Sequence, residues 1–67
     1  MYKQSFIDRV IREGCVDTRR YRYRAKFGTF YPGGILQYAI IERLPLSALD
    51  TTEAISGWER IGNLHVV

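Results

Sequence analysis

The sequence predicts an α+β fold, in which an N-terminal helix packs on an antiparallel sheet of three to four strands, with a short second helix. Three observations predict it: apolar residues at helical spacing near the N-terminus, strict alternation over residues 19–27, and a Pro-Gly-Gly turn between two strand-like segments. The 67 residues are assigned to a single small domain, 1–67, near the lower size limit for a core-stabilised fold. So thin a core also makes a homo-oligomer a reasonable expectation.

The first segment has the periodicity of an amphipathic helix. Its apolar residues recur at spacings of four and one, at Tyr2, Phe6, Ile7, Val10 and Ile11. Gly14 is a typical residue to end such a helix. The β-branched residues leave a short strand as the alternative, and the spacing favours the helix.

A β-hairpin is predicted in the middle of the chain. Residues 19–31 form the first strand, and residues 35–44 form the second, which Pro45 ends. The turn is predicted at residues 31–34, because proline presets the first central dihedral and glycine accepts a positive one. Gly28 is expected to be a bulge or a point of close approach.

The expected register of this hairpin places Phe27 opposite Tyr38 and Ala25 opposite Ile40. One face would then be aromatic and apolar and would pack on the helix: Tyr21, Tyr23, Ala25, Phe27, Leu36, Tyr38 and Ile40. The other face would be cationic along the first strand: Arg20, Arg22, Arg24 and Lys26, with Gln37, Ala39, Ile41 and Arg43 beside them.

The C-terminal third predicts a short helix and a second hairpin. Residues 50–53 resemble a capping box that opens a helix through about Ser56, and Gly57 would end it. Residues 58–67 predict a hairpin around Gly62-Asn63. The alternative is a helix that continues to Gly62, which a glycine in mid-helix disfavours by about 1 kcal/mol relative to alanine. Trp58 is expected to anchor the core.

No pattern in the sequence predicts catalysis. A metal site needs three or four converging ligands, and the chain has one cysteine and one histidine, Cys15 and His65. A Cys15–His65 pair is geometrically conceivable, but a lone cysteine is more typical of a buried structural thiol. The glycines lack the spacing of a phosphate-binding loop. We therefore expect no enzyme activity, no catalytic residue, no metal and no cofactor.

Composition also bears on location. A single cysteine allows no intrachain disulfide, which is typical of a reducing compartment. No apolar run approaches the roughly 18–20 residues of a membrane span, and the first ten residues lack the apolar stretch of a signal peptide. We expect a cytoplasmic protein with no membrane partner.

Positive charge is concentrated in the first part of the chain. Residues 1–26 carry eight Lys/Arg against three Asp/Glu, a balance of +5, whereas residues 27–67 carry two against four, a balance of −2. Four cations project from one face of the first predicted strand over about 20 Å. A polyanion would relieve their mutual repulsion. The predicted nucleic-acid-binding residues are Arg20, Arg22, Arg24 and Lys26, with Arg19 and Arg43 as further contacts.

The aromatic residues refine this prediction. Base stacking needs rings beside the cations, but alternation puts Tyr21, Tyr23 and Phe27 on the other face. Only Phe30 and Tyr31 are expected to offer rings near the charge. The sequence therefore predicts a small, basic, non-enzymatic accessory protein that contacts phosphates in nucleic acid and is poorly suited to reading a base sequence.

The sequence leaves two alternatives open. The arginines could form an ordinary solvated face, with their heads paired to Glu42, Glu59 or Asp17. The chain could instead be a protein-interaction module: a small regulator, inhibitor or subunit of the size common in phages and mobile elements. It would then dock an acidic protein or a second copy through an interface that comprises Ile35, Ile41, Phe30 and Tyr31.

Overall fold

Helix α1 packs on one face of a four-stranded antiparallel sheet in the computed structural model, which describes residues 2–30 and 36–67. The elements in chain order are α1 (Gln4–Glu13), β1 (Cys15–Asp17), β2 (Tyr21–Thr29), β3 (Gln37–Pro45), a 3₁₀ turn (Leu46–Ala48), α2 (Glu53–Ser56) and β4 (Glu59–Val66). The strand order is β1-β2-β3-β4. The α+β prediction, with its N-terminal helix and short second helix, is confirmed.

The N-terminal helix ends where the sequence predicts. Gly14 has a φ of 83° and donates its backbone N–H to the carbonyl of Val10 at 2.7 Å. A positive φ is readily adopted by glycine, which is why the helix can close there and turn directly into β1. Ile7 and Val10 are buried against the sheet, where they join the core cluster of Val16, Tyr23, Ile41 and Ile61.

Strand β1 is an element that the sequence did not predict. Its three residues pair with β2, so that Val16 lies opposite Tyr23 and Asp17 lies opposite Arg22. A segment this short has too few residues to show alternation. It also shifts the start of the central strand, because the turn from β1 occupies the positions before Tyr21.

The β2–β3 hairpin forms, but its predicted register is wrong by one residue. Phe27 lies opposite Ala39 and Ala25 lies opposite Ile41, in place of Tyr38 and Ile40. A shift of one residue moves every β3 side chain to the other face of the sheet. The observed register buries Ile41 completely beneath α1. The predicted turn at residues 31–34 lies outside the described residues.

The register defines two faces, which we call the helix face and the opposite face. The helix face carries Tyr23, Ala25, Ile41, Arg43 and Ile61. The opposite face carries the even-numbered β2 residues and their β3 neighbours: Arg22, Arg24, Lys26, Tyr38, Ile40, Glu42 and Leu44. The opposite face is also partly covered, because Leu44 is fully buried there.

The C-terminal segment is one strand, so both the hairpin and the helix considered for it are wrong. β4 pairs with β3 along its length, with Ile61 opposite Ile41 and His65 opposite Ala39. The residues between Ile61 and His65 form a bulge, in which Gly62 has a φ of 68°. Gly62-Asn63, which predicted a tight turn, therefore lies in a β-bulge.

Two expectations about burial are also wrong. Phe27 is 55% exposed and does not belong to the core cluster that α1 forms with the sheet. Cys15 is exposed on edge strand β1 and is not a buried thiol. The expectation for Gly28 is confirmed: a Cβ added there would overlap the ring of Tyr38, its cross-strand neighbour.

None of the helices among residues 2–30 and 36–67 has the length and apolar character needed to span a bilayer.

Candidate functional site

The centre of the predicted cationic row is neutralised by ion pairs. Arg22 donates from Nε to Oδ1 of Asp17 at 2.8 Å and from Nη2 to Oδ2 at 3.0 Å. The pairing of β1 with β2 places these two residues directly opposite each other, so the planar guanidinium meets both carboxylate oxygens. The hydrogen bonds from Arg22 hold the pKa of Asp17 below its ordinary value.

Arg24 is held from two sides. Its Nε and Nη2 each lie 3.0 Å from Oε1 of Glu42, the residue opposite it on β3. Its guanidinium also lies 3.9 Å from the centre of the Trp58 ring. The ring is fixed in turn, because Trp58 Nε1–H donates to the carbonyl of Ala54 at 2.8 Å. Arg24 therefore contributes to the structure of the opposite face and adds no free charge there.

The Arg22–Asp17 and Arg24–Glu42 ion pairs are two of those expected if the arginines form an ordinary solvated face. The third carboxylate of that alternative, Glu59, lies 3.5 Å from Arg43. Opposite charges on neighbouring strands are favourable cross-strand pairs, so the sheet itself accounts for part of the arginine pattern.

Arg43 does not lie beside the other arginines, so its predicted place on the cationic face is wrong. The register puts it on the helix face, where Nη1 donates to the hydroxyl of Tyr2 at 2.6 Å. Its guanidinium lies 4.3 Å from the centre of the Tyr21 ring. Arg43 thus ties the N-terminus of α1 to the sheet.

Three of the predicted cations remain exposed without an ion pair among the described residues: Arg19, Arg20 and Lys26. Lys26 lies on the opposite face of β2, beyond Arg24. Arg19 and Arg20 form the tip of the β1–β2 turn. They are the only adjacent pair of unpaired arginines in the part of the chain that the structure describes.

The backbone holds this turn in place. The N–H of Thr18 donates to the carbonyl of Tyr21 at 2.8 Å, and the N–H of Tyr21 donates to Thr18 Oγ1 at 3.3 Å. The carbonyl of Arg20 accepts from the N–H of Leu46 at 2.8 Å. The turn is therefore bonded to the segment after β3 as well as to its own strands.

The predicted partner interface is not assembled as expected. Ile41 is fully buried in the core, so its assignment to an exposed interface is wrong. Phe30 is half-buried and its ring centre lies 5.0 Å from that of Tyr38. Tyr31 and Ile35 lie outside the described residues. Trp58, which sequence reasoning placed in the core, instead supports Arg24 from an intermediate position.

Cys15 and His65 are not neighbours. They lie on the two edge strands, β1 and β4, and are separated by β2 and β3, which is about 14 Å at the usual strand spacing. Among residues 2–30 and 36–67, no three His, Cys, Asp or Glu side chains converge as a metal site. No known protein family, curated protein or solved structure matches the chain.

Proposed function

We propose that the protein binds nucleic acid through its phosphates, and that Arg19, Arg20 and Lys26 make the contacts. The observation that carries this proposal is the distribution of unpaired charge. These three cations lie on β2 and on the turn that leads into it, and none has a carboxylate partner among the described residues. Unpaired surface cations are available to replace the counterions condensed on a polyanion.

The spacing of these cations suits an extended ligand. Lys26 lies six positions after Arg20, which corresponds to about 20 Å along a strand. One small anion cannot contact both ends of such a row. A nucleic acid strand, which carries a charge at every nucleotide, can contact both.

In this proposal the two arginines that are paired with carboxylates supply hydrogen bonds and no net charge. Arg22 and Arg24 lie between Arg20 and Lys26, but each is matched by one carboxylate. Their side chains are 39% and 36% exposed, so their outward N–H groups can still donate to a phosphate without adding net charge. The electrostatic part of binding therefore comes from three cations.

Tyr21 and Tyr23 do not form a base-stacking platform beside Lys26. Tyr23 is buried in the core, and one face of the Tyr21 ring is covered by Arg43. Both residues lie on the helix face of β2 and Lys26 lies on the opposite face, so neither ring can stack bases beside Lys26. A non-enzymatic accessory role in the cytoplasm is part of this proposal.

The experiment that tests it is a low-salt mobility shift with duplex DNA, single-stranded DNA and RNA of equal length. Lys26→Glu should weaken binding to each. Lys3→Glu is the matched control, because it makes the same change of charge at the exposed N-cap of α1, which packs on the helix face and not on the face that carries Lys26. Absence of binding to all three ligands, or equal losses in both variants, would contradict the proposal.

A second candidate function is self-association, favoured by two exposed apolar side chains near the β2–β3 connection. Phe27 is 55% exposed and Leu36 is 56% exposed, and both lie next to the β2–β3 connection. Sedimentation equilibrium tests this candidate: a dimer that dissociates on Phe27→Ser would support it. A monomer at high concentration would contradict it.

A further inference from the structure

A cleft lies beside the two unpaired arginines of the β1–β2 turn. Its volume is about 340 Å³, at the lower end of the range for small-molecule sites. The turn forms one wall and the end of β3 with the 3₁₀ turn forms the other. The lining residues are Arg19, Arg20, Tyr21, Pro45, Leu46 and Ser47.

The chemistry of this lining favours a doubly charged anion. The polar side chains among the described lining residues are two guanidinium groups and the hydroxyls of Tyr21 and Ser47, and none of these residues carries a carboxylate. The nearest acidic residue in sequence, Asp17, is already bonded to Arg22. A phosphate monoester carries a charge of about −1.5 to −2 at neutral pH, which matches two arginines better than the single charge of an internal phosphodiester does.

The two walls are held together before any ligand binds. The hydrogen bond from the N–H of Leu46 to the carbonyl of Arg20 joins them at 2.8 Å. The hydrogen bonds between Thr18 and Tyr21 close the turn that carries both arginines. Binding therefore needs to order only side chains, which lowers its entropic cost.

We infer that this cleft binds a phosphate monoester and, on the basis of the proposed function, that it holds the terminal phosphate of a nucleic acid strand. The strand would begin at Arg19 and Arg20 and run along β2, so that a later phosphate reaches Lys26 about 20 Å away. The 5′ and 3′ phosphates share this chemistry, and the experiment separates them.

The test is a competition assay with unlabelled 12-nucleotide single strands against one labelled strand. The competitors carry a 5′-phosphate, a 3′-phosphate or no terminal phosphate. At least one phosphorylated strand should bind roughly tenfold more tightly than the unphosphorylated strand, as expected for charge-assisted hydrogen bonds. The end that is preferred identifies the source of the phosphate.

Two variants assign the preference to the cleft. Arg19→Gln/Arg20→Gln should bring all competitors to the same affinity. Lys26→Gln should weaken all of them and leave the roughly tenfold ratio unchanged, because it lies outside the cleft. A preference that survives in the double variant would overturn the inference.

Failure of this inference differs from failure of the proposed function. Equal affinity of the wild-type protein for all three strands would overturn the terminal-phosphate site and leave nucleic acid binding intact. Absence of binding to every strand would contradict the proposed function. In that case, titration with inorganic phosphate, followed by NMR at the Arg19, Arg20 and Ser47 amides, decides whether the cleft binds a phosphate at all.

Discussion

Arg22 and Asp17 form a two-pronged ion pair across β1 and β2, with N–O distances of 2.8 and 3.0 Å. This pair shows that arginines at every second position do not by themselves make a row of free charge. The carboxylates that neutralise them come from neighbouring strands, so the charge available to a partner depends on strand pairing. The free cations lie at the two ends of the row.

The pKa of Asp17 should lie below its ordinary value of about 3.9 because Arg22 stabilises the carboxylate. The ion pair then contributes stability above that value, and the contribution is lost as pH falls through the lowered pKa. NMR titration of the Asp17 carboxyl carbon measures this pKa. Arg22→Gln should raise it toward the ordinary value. An ordinary pKa in the wild-type protein would show that the pair does not form in solution.

Trp58→Ala should lower the free energy of unfolding by about 2 kcal/mol, less than for a fully buried tryptophan because the ring is only partly buried. The loss includes the contact between the ring and the Arg24 guanidinium. Ile55→Ala on α2 is the control, since this side chain is 84% exposed and should change stability by less than about 0.5 kcal/mol. Urea unfolding measures both. Similar losses in the two variants would exclude a structural role for Trp58.

Ile41→Val should destabilise the protein by about 1 kcal/mol, because it removes a methylene from a fully buried position. Ile40→Val makes the same change at a half-buried position on the opposite face and should cost less than half as much. Thermal and urea unfolding measure the stability of both variants. A larger loss at Ile40 would support the register expected from the sequence and contradict the observed one.

The sequence could predict the elements of this hairpin but not its register. Ile40 and Ile41 are adjacent and equally apolar, so alternation on β3 does not indicate which of them faces the helix. The turn residues allow loops of more than one length, and each length sets a different register. Burial of Ile41 under α1 involves residues distant in sequence, such as Val10 and Ile61.

The candidate site was only partly predictable for the same reason. Arg19, Arg20 and Lys26 could be named from composition and alternation alone. Which arginines are neutralised depends on the partners of β2, and β1 was too short to be predicted. The cleft beside Arg20 was not predictable either, because Ser47 approaches the turn only through the fold.

Gly28→Ala should cost about 1 kcal/mol, because the added methyl would meet the ring of Tyr38. In a Tyr38→Ala background the same change should be neutral or stabilising, since alanine loses less backbone entropy than glycine in a strand. A double-mutant cycle by urea unfolding gives the coupling free energy between Gly28→Ala and Tyr38→Ala. Equal costs in both backgrounds would show that the ring does not occupy this space.

The salt dependence of duplex DNA binding tests the central claim most directly. Three unpaired cations predict a slope of log affinity against log salt of about −2.7, taking roughly 0.9 per phosphate contact. Arg19→Gln/Arg20→Gln should reduce the slope to about −0.9, and Lys3→Gln should leave it unchanged. A wild-type slope that stays the same in the double variant would contradict the account, because the free arginines of the turn would then make no contact with phosphate.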